Sequence, residues 1–203
     1  LIGTKTKLAI IPVGSGNGLA RHLHIPLSIE KAIVNINHQN ELLIDTVLVN
    51  DKAFLNAAGY GIDALVAKKL NSSPKRGLIN YIRLSLKEYI SYKPIHISID
   101  INGMHKSLPV FMLSIANASE FGNGFQISPH SDVTDGKIEL VMVKPFKFWE
   151  IPKLTYLFFK GSSNNSEYLE VIPFEEATIK INTTIAQYEG EPFDVRNELK
   201  DKV

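Results

Sequence analysis

Residues 8–22 read LAIIPVGSGNGLARH, an apolar run followed by a proline, three closely spaced glycines and a helix-compatible end. The apolar residues 8–11 predict a buried strand, and the residues after Gly18 predict the start of a helix. Glycines between a strand and a helix let backbone N–H groups approach an anion, because no Cβ atom stands in the way. The stretch therefore predicts either a phosphate-binding loop or a tight turn without a ligand.

The composition of the 203 residues limits the class of protein. Hydrophobic residues make up 44% of the chain, which is enough to build a substantial core. The 22 basic and 21 acidic residues leave a net charge of +1, so no nucleic-acid partner is expected. The chain has no cysteine, which excludes a disulfide scaffold and zinc held by cysteine. No apolar run reaches the roughly 18 residues that cross a bilayer, and no signal peptide opens the chain, so a cytoplasmic protein is expected.

Beyond the glycine loop, the pattern predicts an α/β front and an antiparallel β rear joined by one long helix. Ser28 is a predicted helix N-cap, residues 76–91 form the clearest amphipathic helix, and Pro152 interrupts a helix at 147–160. Hairpin turns are predicted at Asn50-Asp51 and Asn102-Gly103. Strands are predicted at residues 41–49, 53–58, 96–101, 107–116, 137–143, 168–174, 177–181 and 185–188.

A second glycine motif, Gly59, Gly61 and Ala64, fits the pattern G-x-G-x-x-A after a strand. A dinucleotide site of this type requires an acidic residue about 20 positions later. Arg83, inside the predicted long helix, occupies that position. A tight strand-to-helix turn is therefore favoured, and it leaves Asp63 free to face a cleft.

Two acidic turns have two interpretations each. Residues 131–138, SDVTDGKI, fail the spacing of an EF-hand and favour an Asp-Gly turn, although Asp135 and neighbouring carbonyls suit one hard cation. Glu189 and Glu191 flank Gly190, so a turn would point both carboxylates into one site. Such a pair suits general-base work or magnesium binding, and it equally suits a solvated hairpin tip.

An aromatic cluster lies late in the chain. Six of the 18 aromatic residues fall within residues 146–159, and four lysines interleave with them. A core helix with lysines that extend to solvent is the favoured interpretation. The alternative is a peripheral surface that sits on an anionic membrane.

Four segments resemble, in order, the motifs of the diacylglycerol kinase and sphingosine kinase family of lipid kinases. Residues 11–17, IPVGSGN, are similar to its P-x-G-T/S-x-N nucleotide loop. Residues 56–64, NAAGYGIDA, resemble N-x-x-G-x-G-x-D-A, and residues 117–138 resemble N…G-G…P…D-G-x-L/I. Residues 189–191, EGE, lie where the family has D-G-E. The four segments cover nearly the whole chain.

This resemblance implies an α+β, mainly β fold of the NAD kinase/diacylglycerol kinase-like type. We expect residues 1–37 to be a remnant of an α/β nucleotide-binding domain. Residues 38–203 are expected to form a C-terminal antiparallel β-sandwich domain with inserted helices. The family places ATP and substrate in the cleft between its two domains.

The resemblance also implies an ATP-dependent lipid kinase, which transfers the γ-phosphoryl group to a hydroxyl of a diacylglycerol- or sphingoid-like lipid at a membrane surface. Glu189 would be the base that takes the hydroxyl proton, with Glu191 beside it near Mg²⁺. The residues that would line the nucleotide phosphates are Gly14, Ser15, Gly16 and Asn17.

Two further sites follow from the same resemblance. Asp63 would face the lipid head group. Asp135 would bind a structural Mg²⁺ or Ca²⁺ through its side chain, helped by the carbonyls of Asp132 and Lys137.

The chain departs from the family pattern in two respects. The family has a G-G-D-G-T loop before its nucleotide loop, and this chain contains none, so we expect the chain alone to bind ATP weakly or not at all and to be inactive. Glu189 replaces the usual aspartate, and its extra methylene shifts the carboxylate by roughly an ångström, enough to cost about 10²-fold in rate. The alternatives are a non-catalytic lipid-binding or regulatory module, and a kinase of soluble substrates related to NAD kinases.

Overall fold

The computed structural model describes residues 1–38, 41–50, 52–74, 77–183, 185–194 and 198–202. None of the helices in these ranges combines the length and the hydropathy that crossing a membrane requires. The helices are α1 (Gly18–His22), α2 (Ile29–Asn37), α3 (Ile62–Asn71), α4 (Leu78–Tyr89) and α5 (Ile151–Lys160). The strands are β1 (Val47–Val49), β2 (Lys52–Phe54), β3 (Ala57–Gly61), β4 (Ile95–Ile101), β5 (Met104–Val110), β6 (Met112–Ala116), β7 (Glu120–Gly122), β8 (Phe125–Gln126), β9 (Ile138–Val143), β10 (Leu169–Phe174), β11 (Glu176–Ile181), β12 (Ile185–Tyr188), β13 (Glu191–Asp194) and β14 (Glu198–Lys202).

Two antiparallel sheets pack face to face as a sandwich. Within the described residues, the outer sheet has the order β2-β1-β14-β11-β4-β5 and the inner sheet the order β10-β9-β6-β3-β12-β13. Side chains such as Ile97, Leu113 and Ile179 fill the space between them and are fully buried. The expected mainly β, α+β fold with a β-sandwich is therefore confirmed.

The burial of each strand explains its sequence pattern. In β4 the isoleucines 95, 97, 99 and 101 face the sandwich core and the residues between them face solvent. Every residue of β9 is buried, because the outer sheet covers one face of the inner sheet and α5 covers the other. In a strand covered on one face, apolar and polar residues alternate, whereas a strand covered on both faces is apolar along most of its length.

Several predicted turns and caps are confirmed. Asn102 and Gly103 have φ of 52° and 77°, and they join β4 to β5 as a hairpin. The Ser28 hydroxyl accepts a hydrogen bond from the amide of Lys31 at 3.4 Å and caps α2. Asp51 of the predicted turn and Arg76, the predicted start of the long helix, lie outside the described residues.

Two predicted strands are wrong in the same way, because each is divided between the sheets. Residues 53–58 become β2 of the outer sheet and β3 of the inner sheet, with a bend at Leu55 and Asn56. Residues 107–116 become β5 and β6, with a bend at Phe111. Periodicity identifies extended residues but not the point where the chain leaves one sheet for the other.

Other boundaries also differ from those predicted. Residues 8–11 form no strand, and Leu8 and Ile11 are exposed, since no described strand lies beside them. The strand predicted at 41–49 shortens to β1. Pro152 does not interrupt a helix: a 3₁₀ turn at Phe148–Glu150 precedes α5, and Pro152 lies in the first turn of α5, where its missing N–H costs nothing.

Candidate active site

A cavity of about 820 Å³ lies on the face of the inner sheet that the outer sheet does not cover. Its walls come from the glycine loop, the bend before β3, helices α3, α4 and α5, and the turn between β12 and β13. The cavity lining includes all seven residues expected to contact the nucleotide or the lipid: Gly14, Ser15, Gly16, Asn17, Asp63, Glu189 and Glu191. The residues of the expected cation site, Asp132, Asp135 and Lys137, are not part of this lining.

The glycine loop is closed by the side chain of Asn17, which has a left-handed backbone with φ of 55°. Its Oδ1 accepts a hydrogen bond from the amide of Gly14 at 2.9 Å, and its Nδ2 donates to the Gly14 carbonyl at 3.0 Å. The amide of Asn123 donates to the Gly16 carbonyl at 3.0 Å, which fixes the loop to the end of β7. The loop therefore has a defined shape, and it faces the cavity.

Gly18 lies where only a glycine fits. A Cβ atom built on it would come within 2.4 Å of the Glu120 carbonyl oxygen and 2.8 Å of the side-chain nitrogen Nδ2 of Asn56. This close approach sets α1 against β7 and against the bend before β3. It explains why the glycine loop continues into a helix through a third glycine.

Glu189 and Gly190 form the two-residue turn between β12 and β13, with φ of 52° and 86°. One carboxylate oxygen of Glu189 accepts hydrogen bonds from the amides of Leu55 at 2.7 Å and Asn56 at 3.1 Å. The other oxygen accepts no hydrogen bond from the described residues. The glutamate is thus held at the cavity wall by one oxygen while the second oxygen stays open to a ligand.

Asp63, in the first turn of α3, is buried, and both of its carboxylate oxygens are bonded. Tyr81 donates its hydroxyl to Oδ1 at 2.7 Å, and Gln187 donates its amide to Oδ2 at 2.8 Å. Burial raises the pKa of Asp63, and the two hydrogen bonds oppose that rise. The side-chain oxygen Oε1 of Gln187 in turn accepts from the amide of Gly190 at 2.6 Å, so this chain of bonds reaches the turn that carries Glu189.

We expect Tyr81→Phe to lower the free energy of unfolding by about 1–3 kcal/mol, because Asp63 Oδ1 would lose its donor while buried. The Tyr81 hydroxyl favours the ionised carboxylate, so its removal raises the pKa of Asp63 further. The folded chain would then hold a proton that the unfolded chain releases, and stability is lost as pH rises through the folded pKa. Urea unfolding should therefore show a larger loss at about pH 8 than at about pH 4.

Tyr156→Phe is the control for this prediction, because Tyr156 is exposed on α5 and its substitution should change little. An equal loss at both pH values, or a Tyr81→Phe variant as stable as the control, would contradict the role assigned to the Tyr81 hydroxyl.

The acidic turn at residues 131–138 is closed by its own groups. Asp132 Oδ1 accepts from the amide of Thr134 at 2.9 Å, and Asp135 Oδ1 accepts from the amide of Lys137 at 2.9 Å. Asp45 Oδ2 accepts from the amide of Gly136 at 2.8 Å. Within the described ranges, no group of three His, Asp or Glu side chains is placed to hold a metal ion. The side chains build a turn, and cation binding there stays a prediction.

Sequence reasoning missed three residues around the site. Tyr81 lies among the apolar residues of an amphipathic helix, and Gln187 lies in a strand. The periodicity of a helix or a strand does not indicate that either side chain makes a polar contact. Asn117, noted only as part of a motif, donates through Nδ2 to the carbonyls of Asp45 at 3.1 Å and Leu55 at 2.8 Å. The one usable signal was the position of Gln187, which is two residues before Glu189 and therefore next to the acidic turn.

The sequence matches two known families. Residues 56–195 match the family described as the YegS C-terminal NAD kinase beta sandwich-like domain. Residues 1–49 match the diacylglycerol kinase catalytic domain. The first match covers all the described strands of the inner sheet and three of the six described strands of the outer sheet, β4, β5 and β11. The second match covers the glycine loop.

Named relatives agree with both matches. The chain is 26% identical over 145 residues to a Chromohalobacter salexigens protein named "Probable lipid kinase YegS-like", an alignment that covers 70% of this chain and 47% of the relative. It is 28% identical over 170 residues to a diacylglycerol kinase of Mycobacterium tuberculosis, covering 80% and 55%. The chain thus spans about half the length of these curated relatives.

A solved structure has a similar fold. A crystal structure of a diacylglycerol kinase from Bacillus anthracis superposes with a TM-score of 0.71 at 15% identity, and the match covers 99% of this chain and 65% of that one. At this level of identity, the similarity shows that the two proteins share a fold.

Proposed function

The chain belongs to the family of the YegS C-terminal NAD kinase beta sandwich-like domain, a part of lipid kinases of the diacylglycerol kinase type, and we propose that its cavity serves ATP-dependent phosphoryl transfer to a lipid. The acceptor is a hydroxyl of a diacylglycerol- or sphingoid-like lipid. One observation carries this proposal: the glycine loop and the acidic turn, which are more than 170 residues apart in sequence, line the same cavity.

The residues present suit a nucleotide. Gly14, Ser15, Gly16 and Asn17 line the cavity as a fixed loop. The Gly14 amide is taken by Asn17 Oδ1, which leaves the amides of Ser15, Gly16 and Asn17 as ligands for phosphate oxygens. Asn56 Oδ1, beside Gly18, is buried and has no hydrogen-bond partner among the described residues, which leaves an acceptor for a bound group. When bound, ATP supplies the γ-phosphoryl group.

Glu189 is the proposed general base. Its open carboxylate oxygen would take the proton of the acceptor hydroxyl while the hydroxyl oxygen forms a bond to the γ-phosphorus. The bond from that phosphorus to the β–γ bridging oxygen would break, and ADP would leave. The amides of Leu55 and Asn56 hold the carboxylate still during the transfer. Phosphoryl transfer needs positioning and charge neutralisation more than covalent help, so one well-placed carboxylate is sufficient.

Glu191 completes the acidic side of the site. Mg²⁺ is usually held by one or two carboxylates together with substrate phosphates, and Glu189 and Glu191 provide such a pair on one cavity wall. Asn71 donates its side-chain amide to Glu191 at 3.0 Å and orients it from the end of α3. We place the Mg²⁺ of the nucleotide near Glu191.

The remaining assignments are proposals of the same kind. Asp63 lies at the head-group end of the cavity, where it is linked by hydrogen bonds through Gln187 to Gly190. Asp135, with the carbonyls of Asp132 and Lys137, holds a structural Mg²⁺ or Ca²⁺ at its turn. Residues 1–37 belong to the nucleotide-binding unit, and residues 38–203 form the lipid-kinase β-sandwich unit.

Phosphate incorporation from γ-labelled ATP tests this function. The whole gene product is incubated with diacylglycerol, sphingoid and other glycerolipid acceptors, and with soluble NAD as a competing acceptor. We expect label in one lipid class and none in NAD. Label in NAD alone would favour the soluble-substrate alternative, and vesicle binding without any labelled lipid would favour a non-catalytic module.

A further inference from the structure

Helix α5 and the 3₁₀ turn before it have two different faces. Leu154 and Phe158 are buried against the inner sheet. Four aromatic side chains of the same segment point to solvent, which we call the aromatic face: Phe148, Trp149, Tyr156 and Phe159, exposed by 54%, 68%, 61% and 37%. The favoured expectation, a core helix, therefore accounts for only one side of this segment.

Lysines accompany these rings. The Lys147 ammonium lies 5.1 Å from the centre of the Trp149 ring, and the Lys160 ammonium lies 5.7 Å from that of Tyr156. The Lys153 ammonium lies 3.9 Å from the Glu150 carboxylate, and the lysine side chain is exposed to solvent. An ion pair of this length at the surface is weak, so the Lys153 charge remains available to a ligand. Aromatic rings beside cations match the chemistry of the head-group layer of an anionic bilayer.

The aromatic face adjoins the cavity. Residues advance by about 100° along a helix, so Thr155 and Phe159 lie on one stripe of α5 beside Tyr156. Thr155 and Phe159 line the cavity, and Phe159 is also part of the aromatic face. Ile82 of α4 also lines the cavity and is 38% exposed. The apolar side of the cavity therefore opens at the edge of this face.

We propose that the aromatic face, with Lys147, Lys153 and Lys160, docks the chain onto the surface of an anionic phospholipid bilayer and brings the cavity mouth to the head-group layer. This inference rests on the proposed lipid acceptor and specifies how that acceptor reaches the site. The hydroxyl of a diacylglycerol-like lipid lies at head-group level, so docking presents it to the cavity while its acyl chains remain in contact with the bilayer. Apolar burial and attraction of the lysines to anionic lipid act together in binding of this kind.

Trp149 makes the proposal directly measurable, because it is the only tryptophan of the chain. The nucleotide-free 203-residue chain is titrated with vesicles of phosphatidylcholine alone and of phosphatidylcholine with phosphatidylglycerol. We expect a blue shift of the emission and quenching by lipids brominated in their acyl chains, both with the anionic vesicles. Emission that stays unchanged with the anionic vesicles would overturn the proposal. So would a blue shift that depends on protein concentration without vesicles, which would indicate that a second copy covers the face.

Charge-reversal variants provide the matched comparison. Lys153→Glu with Lys160→Glu should weaken binding to anionic vesicles by about tenfold or more. Lys31→Glu with Lys180→Glu changes the net charge equally at exposed positions on α2 and β11, and it should leave binding nearly unchanged. Equal weakening in both pairs would mean unspecific attraction and would overturn the proposal. The vesicle titration contains no nucleotide, so it does not depend on kinase activity. Vesicle binding together with a kinase assay that labels no lipid would therefore reject the proposed function and leave the docking proposal intact.

Discussion

Glu189→Gln is expected to lower the rate of lipid phosphorylation by about 10²–10⁴-fold, the usual contribution of a general base. A carboxamide oxygen still accepts from the amides of Leu55 and Asn56, so the turn should keep its position while the proton acceptor is lost. The measurement is the initial rate of phosphate incorporation by the whole gene product at saturating ATP and lipid. The effect should appear in kcat, with KM for ATP nearly unchanged.

Glu175→Gln is the matched control, because Glu175 is exposed in the turn between β10 and β11, away from the cavity. Its rate should equal that of the unmodified protein. A Glu189→Gln enzyme as active as this control would show that Glu189 is not the base, and the acidic turn would then be only a hairpin tip.

Gly18→Ala is expected to destabilise the fold by about 1–3 kcal/mol, which is typical of a forced steric overlap. Helix propensity alone predicts the opposite sign, since alanine is favoured over glycine by about 1 kcal/mol inside a helix. The overlap dominates, because the new Cβ would meet the backbone carbonyl of Glu120 at 2.4 Å, and a backbone atom cannot rotate away as a side chain can. Denaturant unfolding of the chain measures the difference.

Gly16→Ala provides the comparison within the same loop. A Cβ there would meet its nearest neighbour, the Phe121 carbonyl oxygen, at 3.5 Å, which is an ordinary contact. We expect its free energy of unfolding to change by less than about 0.5 kcal/mol. If Gly18→Ala were as stable as Gly16→Ala, the packing of α1 against β7 described above would be incorrect.

The β-sandwich was largely predictable, because the spacing of apolar residues along each strand indicates which of its faces are buried. Alternation in β4 and the mostly apolar sequence of β9, interrupted only by Glu139, each identify a strand. The Asn102-Gly103 turn is confirmed in its position. The bends at Asn56 and Phe111 were not predictable, since the choice of sheet depends on distant partners. The apolar residues 8–11 misled the strand prediction, because a strand requires a neighbour as well as a pattern.

The site was predictable where a motif carries it and not where packing does. Motif order identified the glycine loop and Glu189, and both line one cavity. The hydrogen bonds from Asp63 through Gln187 to Gly190 join residues that are distant in sequence, and neither Tyr81 nor Gln187 belongs to a motif. The composition of residues 146–159 could not show which rings face the core, because that depends on where α5 meets the inner sheet.

The central claim is that the glycine loop and the acidic turn form one site for phosphoryl transfer. A structure of the whole gene product with Mg²⁺ and a non-hydrolysable ATP analogue tests it most directly. The phosphates are predicted to contact the amides of residues 15–17, with the terminal phosphate facing the open carboxylate oxygen of Glu189. A nucleotide bound elsewhere, or bound with its terminal phosphate directed away from Glu189, would contradict the account.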